Sequence, residues 1–256
     1  MPVFELERMT FEEVEKLSRD ETIIIVPMGP LEAHGPHLPL SVDIWGARVL
    51  TGLAADMLSE RGYAVAVAPV VPYTLADVAM PFAGTVTLLR STIIALVQDI
   101  AKSFARHGFK KLVVNCHHLE RPNLAALHEA ADGAKQFGIS VLVSNAILDA
   151  LPACTPLMKG EHPQWDFHAG EAETSFFLWR FPDVVRKEYK TLPPNWSNLR
   201  EKFAAGAKDF KEAGGPRCYF GDPARGTAQL GKELYAIQAR FLADEIADWA
   251  GGKAKG

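Results

Sequence analysis

The sequence predicts a single-domain three-layer α/β/α sandwich with a largely parallel central sheet. Short apolar runs (Thr22–Val26, Ala64–Val71, Leu112–Asn115 and Ile139–Ser144) alternate with segments whose apolar residues recur at helical spacing. Strand–helix alternation implies right-handed crossovers and helices on both sheet faces. Two clusters of histidine and acid also follow directly on strands, on the edge where parallel sheets bind ligands.

In chain order, Thr10 and Glu13 have capping-box spacing for a short helix running to about Ser18. Strand one, Thr22–Val26, leads into Met28–Asp43, a Gly/Pro-stiffened turn holding Glu32, His34, His37 and Asp43. A helix is expected over Ile44–Arg61, capped by Ser41 or Asp43 and stopped by Gly62. After the strand at Ala64–Val71, residues Pro72–Arg90 read as a long irregular excursion of the kind that covers a site. Ser91 opens a helix to His107, with Gly108 as its stop.

The strand Leu112–Asn115 runs into Cys116, His117, His118, Leu119 and Glu120. A helix over Leu124–Phe137, closed by Gly138, precedes the strand Ile139–Ser144. Ala146–Phe167, with Pro152, Pro156, Gly160 and Pro163, reads as loop. His168 and Glu171 then share one face of the first turn of a helix ending at Trp179. Pro182–Gly226 reads as irregular, and an amphipathic helix spans Lys232–Trp249 before a Gly/Lys tail.

Composition narrows the function classes. The 256 residues suffice for one substantial core, and 48% hydrophobic with 23% charged is a globular profile. A net charge of -4 without long single-sign runs argues against a nucleic-acid surface. The acidic N-terminus has no signal-peptide pattern and no apolar run reaches membrane-span length, so a cytoplasmic protein is expected. Cys116, Cys154 and Cys218 are too few and too scattered for a disulfide framework or thiolate knuckle. Cys116 fits a small buried apolar residue better than a ligand.

Imidazole and carboxylate groups on stiff loops after strands are ordinary ligands for zinc, manganese or iron. Glu32, His34 and Asp43 form the first candidate group, His117, His118 and Glu120 the second, and His168 with Glu171 a third. His37 sits beyond the Gly35–Pro36 turn, where hydrogen bonding to a ligand is as good a reading as ligation. His107 and His128 read as ordinary helix residues, and Trp165 as a pocket wall or simple core.

These blocks resemble the creatininase (creatinine amidohydrolase) family: Glu32-x-His34-Gly-x-His37-Leu-Pro with Asp43, Asn115 through Asn123, and His168 through Ser175. The resemblance implies that Glu32, His34 and Asp43 are ligands and that Asp43 bridges two divalent ions. In the middle block His117 keeps the family's distance from the strand, whereas His118-Leu119-Glu120 keeps its His-x-Glu spacing, so the ligand is either histidine. Glu120 is the expected second-site carboxylate, with Glu171 as its substitute. The resemblance further implies a metal-activated water cleaving a non-peptide C–N bond in a small cyclic amide or formamide, with His168 moving a proton to the leaving nitrogen and Glu171 or Glu173 orienting it. Hydrolytic ring opening of a keto-inositol or keto-sugar, and metal or small-molecule binding without turnover, are the alternatives. A homo-oligomer, in many members a hexamer, is the implied assembly.

Overall fold

A computed structural model describes residues 2–252; residues 253–256 of the Gly/Lys tail lie outside the described ones. Five parallel strands form one sheet in the order β1-β3-β2-β4-β5, namely β1 (Val3–Glu5), β2 (Ile23–Met28), β3 (Val65–Val67), β4 (Lys111–Cys116) and β5 (Ser140–Val143). The helices are α1 (Phe11–Glu15), α2 (Val42–Glu60), α3 (Arg90–Arg106), α4 (Arg121–Ala134), α5 (Ala146–Cys154), α6 (Glu171–Arg180), α7 (Leu199–Ala204) and α8 (Ala228–Ala250).

The pleat divides β2 between two cores. Ile23 and Ile25 pack with residues of α2, α6 and α8 on one face, while Ile24 and Val26 pack with residues of α3 and α4 on the other. Every residue of β2 is buried, which is why it reads as a continuous apolar run rather than an alternating one. These faces are the outer layers of the expected sandwich.

Local chemistry explains most element ends. Thr10 and Glu13 make the capping box reciprocally. Gly62, Gly108 and Gly138 follow α2, α3 and the turn after α4 with φ of +88°, +91° and +75°, the left-handed geometry glycine adopts without a Cβ clash. Ser41 is the N-cap of α2 but makes no side-chain cap bond, and Asp43 lies inside the first turn. The helix expected from Ser91 starts one residue earlier, behind Leu89.

Other expectations require correction. The second strand keeps only Val65–Val67 as ladder, because Pro69 ends regular pairing and a single bridge, Met28 to Val71, remains. The stretch expected as loop from Ala146 contains α5, with Pro152 inside it. The region 182–226 holds the short helix α7, and the last helix starts at Ala228, where the Thr227 hydroxyl accepts from Leu230 N–H.

The order 3-2-4 makes a switch point. From β2 the chain goes to β3 on one side, and from β3 it crosses to β4 on the other. The crevice beyond the carboxyl ends of β2 and β4 is therefore where a ligand is expected. Pairing of these strands ends at Met28–Cys116, so both histidine-bearing segments leave the sheet side by side.

Candidate metal centre

Three local devices bring the first segment back over the strand ends. Gly29 lies so close to Asp43 that a Cβ there would come within 2.5 Å of the Asp43 carbonyl carbon. The Glu32 N–H donates to Leu40 O at 2.9 Å, closing the excursion, and Gly35 turns the chain at φ +65°. Glu32, His34 and Asp43 are consequently 0–2% exposed. Across the crevice, His117 N–H donates to Met28 O at 2.9 Å, extending the ladder by one bond and fixing where His118 begins.

Two ligand groups share Asp43. Glu32, Asp43 and His118 form one, His34, Asp43 and Glu173 the other, each with donor atoms within 4.8 Å of one another. His118 Nδ1 lies 3.0 Å from Glu32 Oε2 and 3.6 Å from Asp43 Oδ2. His34 Nε2 lies 3.7 Å from both Asp43 Oδ2 and Glu173 Oε2. Glu32, His34 and His168 also converge.

Both Glu32 oxygens, Asp43 Oδ2 and His34 Nε2 are buried without a hydrogen-bond partner. Orphaned polar atoms normally cost several kcal/mol, roughly 2–7 each, and a convergent set of them is the signature of a cation cage. Nitrogen and oxygen donors in this mixture fit zinc, manganese or iron.

The electrostatics agree. Burial alone would raise the Asp43 carboxyl, but His34, His117 and His118 outweigh it and hold the group well below its usual range. Burial pushes Glu32 up, against the pull of His118. Burial would depress His118, yet Glu32, Asp43 and Glu120 raise it well above an ordinary imidazole. Without a cation, positive charge in this pocket is supplied by protons.

The expected residues separate into those the fold gathers and those it does not. Glu32, His34, Asp43 and His118 converge. His117 turns aside, with Nδ1 3.1 Å from Asp43 Oδ1 and Nε2 2.8 Å from the Tyr235 hydroxyl. Glu120 stands behind His118, 3.3 Å from its Nε2 and on the side away from Glu32. Glu171 points elsewhere: its carboxylate accepts from the N–H groups of Lys159 and Gly160 at 2.8–3.0 Å. The acid from this helix that joins the ligand groups is Glu173. At 3.6 residues per turn, two positions along a helix is more than half a turn, so both acids cannot face the site.

His168 lies beside the first group, buried in the cavity lining. Burial, then His34, lowers its pKa to about 3. Its ring lies 4.1 Å from that of His34, and Nε2 donates to Ala33 O at 2.8 Å. With a carbonyl oxygen as its partner, Nε2 carries a proton, which leaves Nδ1 as the accepting nitrogen of the neutral ring. Ala169 follows at φ +48°, a conformation few non-glycine residues adopt, and turns the chain from the His168–Phe220 bridge into α6. His37 hydrogen-bonds to Thr174 rather than to one of the grouped ligands, with Nε2 2.9 Å from Thr174 Oγ1. Cys116 is buried and stands outside the ligand groups.

The centre lies on the floor of a cavity of about 910 Å³, with Asp43, His118, His168 and Glu173 in its lining. Leu124, Ile147, Leu148, Leu151, Phe203 and Leu234 give the walls apolar surface, and Asp77, Arg121, Arg200 and Lys208 add charged groups to the same lining. Trp165 belongs elsewhere, to a separate cavity of about 650 Å³ that holds none of the grouped ligands. Tyr235 carried no sequence signal, being one aromatic among several on an amphipathic helix.

Fold and centre together define a metal-dependent α/β hydrolase. The chain matches the profile of the family Creatininase, creatinine amidohydrolase, over residues 7–246, and it belongs to that family, whose members are metal-dependent hydrolases. It is 27% identical over 245 residues to a mycofactocin precursor peptide peptidase of Mycolicibacterium smegmatis, spanning 89% of this chain and 85% of that one. Creatinine amidohydrolase of Pseudomonas putida is 28% identical over 191 residues (69% of this chain, 72% of that one). The 3-dehydro-scyllo-inosose hydrolase of Thermotoga maritima is 28% identical over 191 residues (71% and 57%). Among solved structures, the creatininase Mn structure superposes with a TM-score of 0.77 at 22% identity, covering 97% of this chain and 99% of that one. No helix among the described residues is long and apolar enough to cross a membrane.

Proposed function

We propose that the chain is a metal-dependent amidohydrolase whose substrate is a small amphipathic molecule, cleaved at a C–N bond beside an apolar arm. The observation that carries this reading is the convergence of unpartnered Glu32, His34 and Asp43 atoms on the floor of an apolar-walled cavity. Glu32, Asp43 and His118 would hold one cation, and His34, Asp43 and Glu173 the other. Divalent cations there would lower the pKa of a water toward neutrality and polarise the substrate carbonyl.

The chain's own residues do the rest. His168, with its Nε2 proton committed to Ala33 O, offers Nδ1 as acceptor for the proton that the attacking water loses. His168 then passes that proton to the leaving nitrogen. Water adds to the carbonyl carbon, the C–N bond breaks, and an acid and an amine leave. His118 is held toward Glu32 and Asp43 by Glu120 on its far nitrogen. The apolar part of the wall binds the arm, and Arg121, Arg200 and Lys208 in the same lining meet the polar part of the molecule. Zinc and manganese both suit the ligand set, and a homo-oligomer in the cytoplasm is the setting we assign.

A panel assay tests this: N-acyl amino acids of increasing acyl length, creatinine-sized lactams and formamides, and dehydro-inositols, each with zinc- or manganese-loaded protein. kcat/KM should rise with acyl length and vanish in Asp43→Ala. Turnover confined to single-ring lactams, or C–C ring opening, would overturn the substrate assignment, and stoichiometric metal without any turnover would mark a binding protein.

A further inference from the structure

Asp43 has two oxygens in different situations. Oδ2 is buried, lacks a hydrogen-bond partner, and faces His34 Nε2 at 3.7 Å and His118 Nδ1 at 3.6 Å. Oδ1 is 3.1 Å from His117 Nδ1. A carboxylate only accepts, so His117 Nδ1 carries a proton and donates it to Oδ1. On the other side of the ring, the buried Tyr235 hydroxyl lies 2.8 Å from Nε2 and donates to it. The result is a directed chain from Tyr235 through His117 to one oxygen of Asp43.

The surroundings are shaped to hold that ring. Gly46, inside α2, faces it so closely that a Cβ would lie 2.7 Å from Cε1 and Nε2 of His117. A glycine within a helix costs about 1 kcal/mol relative to alanine, and here it provides the seat. Behind the ring, Tyr235 stacks on Phe176 at 4.0 Å with an interplanar angle of 8°. Residues from α2, the β4 exit, α6 and α8 thus converge on one imidazole that stands outside the ligand groups.

We propose that His117, seated on Gly46 and oriented by Tyr235, is a positioning residue that withholds Oδ1 of Asp43 from the cations, so that Asp43 joins the two cation sites through Oδ2 alone. This rests on the cation-site reading above. A carboxylate that lends one oxygen to each ion lets the pair spread. A single shared oxygen would instead hold two bound cations close together. The same device explains why two adjacent histidines are present: His118 faces the cations while His117 fixes the bridge between them.

The test uses manganese as probe on the full chain, reading Mn²⁺ affinity by calorimetry and exchange coupling by electron paramagnetic resonance in wild type, His117→Ala, Gly46→Ala and His117→Asn. Wild type should bind an exchange-coupled pair. His117→Ala, and Gly46→Ala through loss of the seat, should bind the pair about 10–100-fold more weakly and lose coupling. His117→Asn, which returns an N–H near the Nδ1 position, should restore coupling. Unchanged affinity and coupling in His117→Ala would overturn the clamp while leaving the cation sites standing. A wild type that binds no manganese would remove the cation-site reading and the clamp with it. In metal-free wild type, imidazole ¹⁵N resonances should show His117 protonated at Nδ1, and a proton on Nε2 alone would also overturn the clamp.

Discussion

The floor of the cavity and its walls are built by different means. The floor comes from the exits of β2 and β4 and the first turns of α2 and α6, where Glu32, His34, Asp43 and His118 are at most 7% exposed. His34 is held by neighbouring backbone, Glu32 O accepting from its Nδ1 at 3.0 Å, and His118 by Glu120. The walls come from α4, α5, α7 and α8, and their leucines carry no polar constraint. A floor so fixed can keep one chemistry while the walls are exchanged for another substrate. Relatives at 27–28% identity named for a peptide, for creatinine and for an inosose are consistent with that division of labour.

The largest effect should come from breaking the floor at its shared residue. In Asp43→Ala, elemental analysis should find metal content falling from about two ions per chain to less than one, and hydrolysis should be lost. Retention of both ions would end the account of Asp43 as the bridge. Next in size is the contrast between two acids on one helix. Glu173→Gln should weaken metal binding by about 10–100-fold. Glu171→Gln should leave metal content unchanged but cost about 1–3 kcal/mol in denaturant unfolding, because the N–H groups of Lys159 and Gly160 lose a charged acceptor. If the two variants exchange phenotypes, the orientation of α6 assigned here is wrong.

That contrast also marks where the sequence stops being legible. The sheet, its outer helices and the edge carrying the histidines follow from apolar runs and caps, since β2 and β4 are short, β-branched and buried on both faces. Glu32, His34 and Asp43 could be grouped because one stiff turn carries them. Choosing His118 over His117, or Glu173 over Glu171, depends on which way the chain faces as it leaves a strand and enters a helix, since neighbouring candidates point to opposite sides. Those directions are set by Gly46 and by Ala169 at φ +48°, whose effect lies in the assembled backbone. The strand β1 went unread because three residues give no periodicity, and α5 because Pro152 mimics a loop. Pro152 is tolerated there by leaving the Leu148 carbonyl without its helical donor. The cavity walls were illegible for the same reason, since α5 supplies three of their residues.

Acid should act on the floor and spare the walls. In the metal-free protein His118 and Glu32 both hold protons more tightly than usual, and a cation must displace them. Apparent affinity should therefore fall as pH drops through neutrality, by about tenfold per pH unit for each proton displaced. Calorimetry in two buffers of different ionisation enthalpy counts those protons. A pH-independent affinity, with no proton release, would mean that His118 and Glu32 are not the groups the cation meets.

The smallest effect should come from the walls, and it sharpens the comparison from the other side. Leu148 and Leu151 project from successive turns of α5 into the cavity. Leu148→Ala removes methyl and methylene contact with an apolar arm, and such contacts are worth about 1–3 kcal/mol in a hydrophobic pocket. KM for the longest acyl substrate should therefore rise by roughly 10-fold, with a smaller change for a short one. Metal content and kcat should stay near wild type, because Leu148 belongs to none of the ligand groups. The decisive quantity is the difference between long and short substrates. If both lose KM equally, Leu148 supports the fold rather than the arm, and the walls do not select the substrate as proposed. If kcat falls with metal content, floor and walls are mechanically linked, and the separation on which substrate exchange depends does not hold.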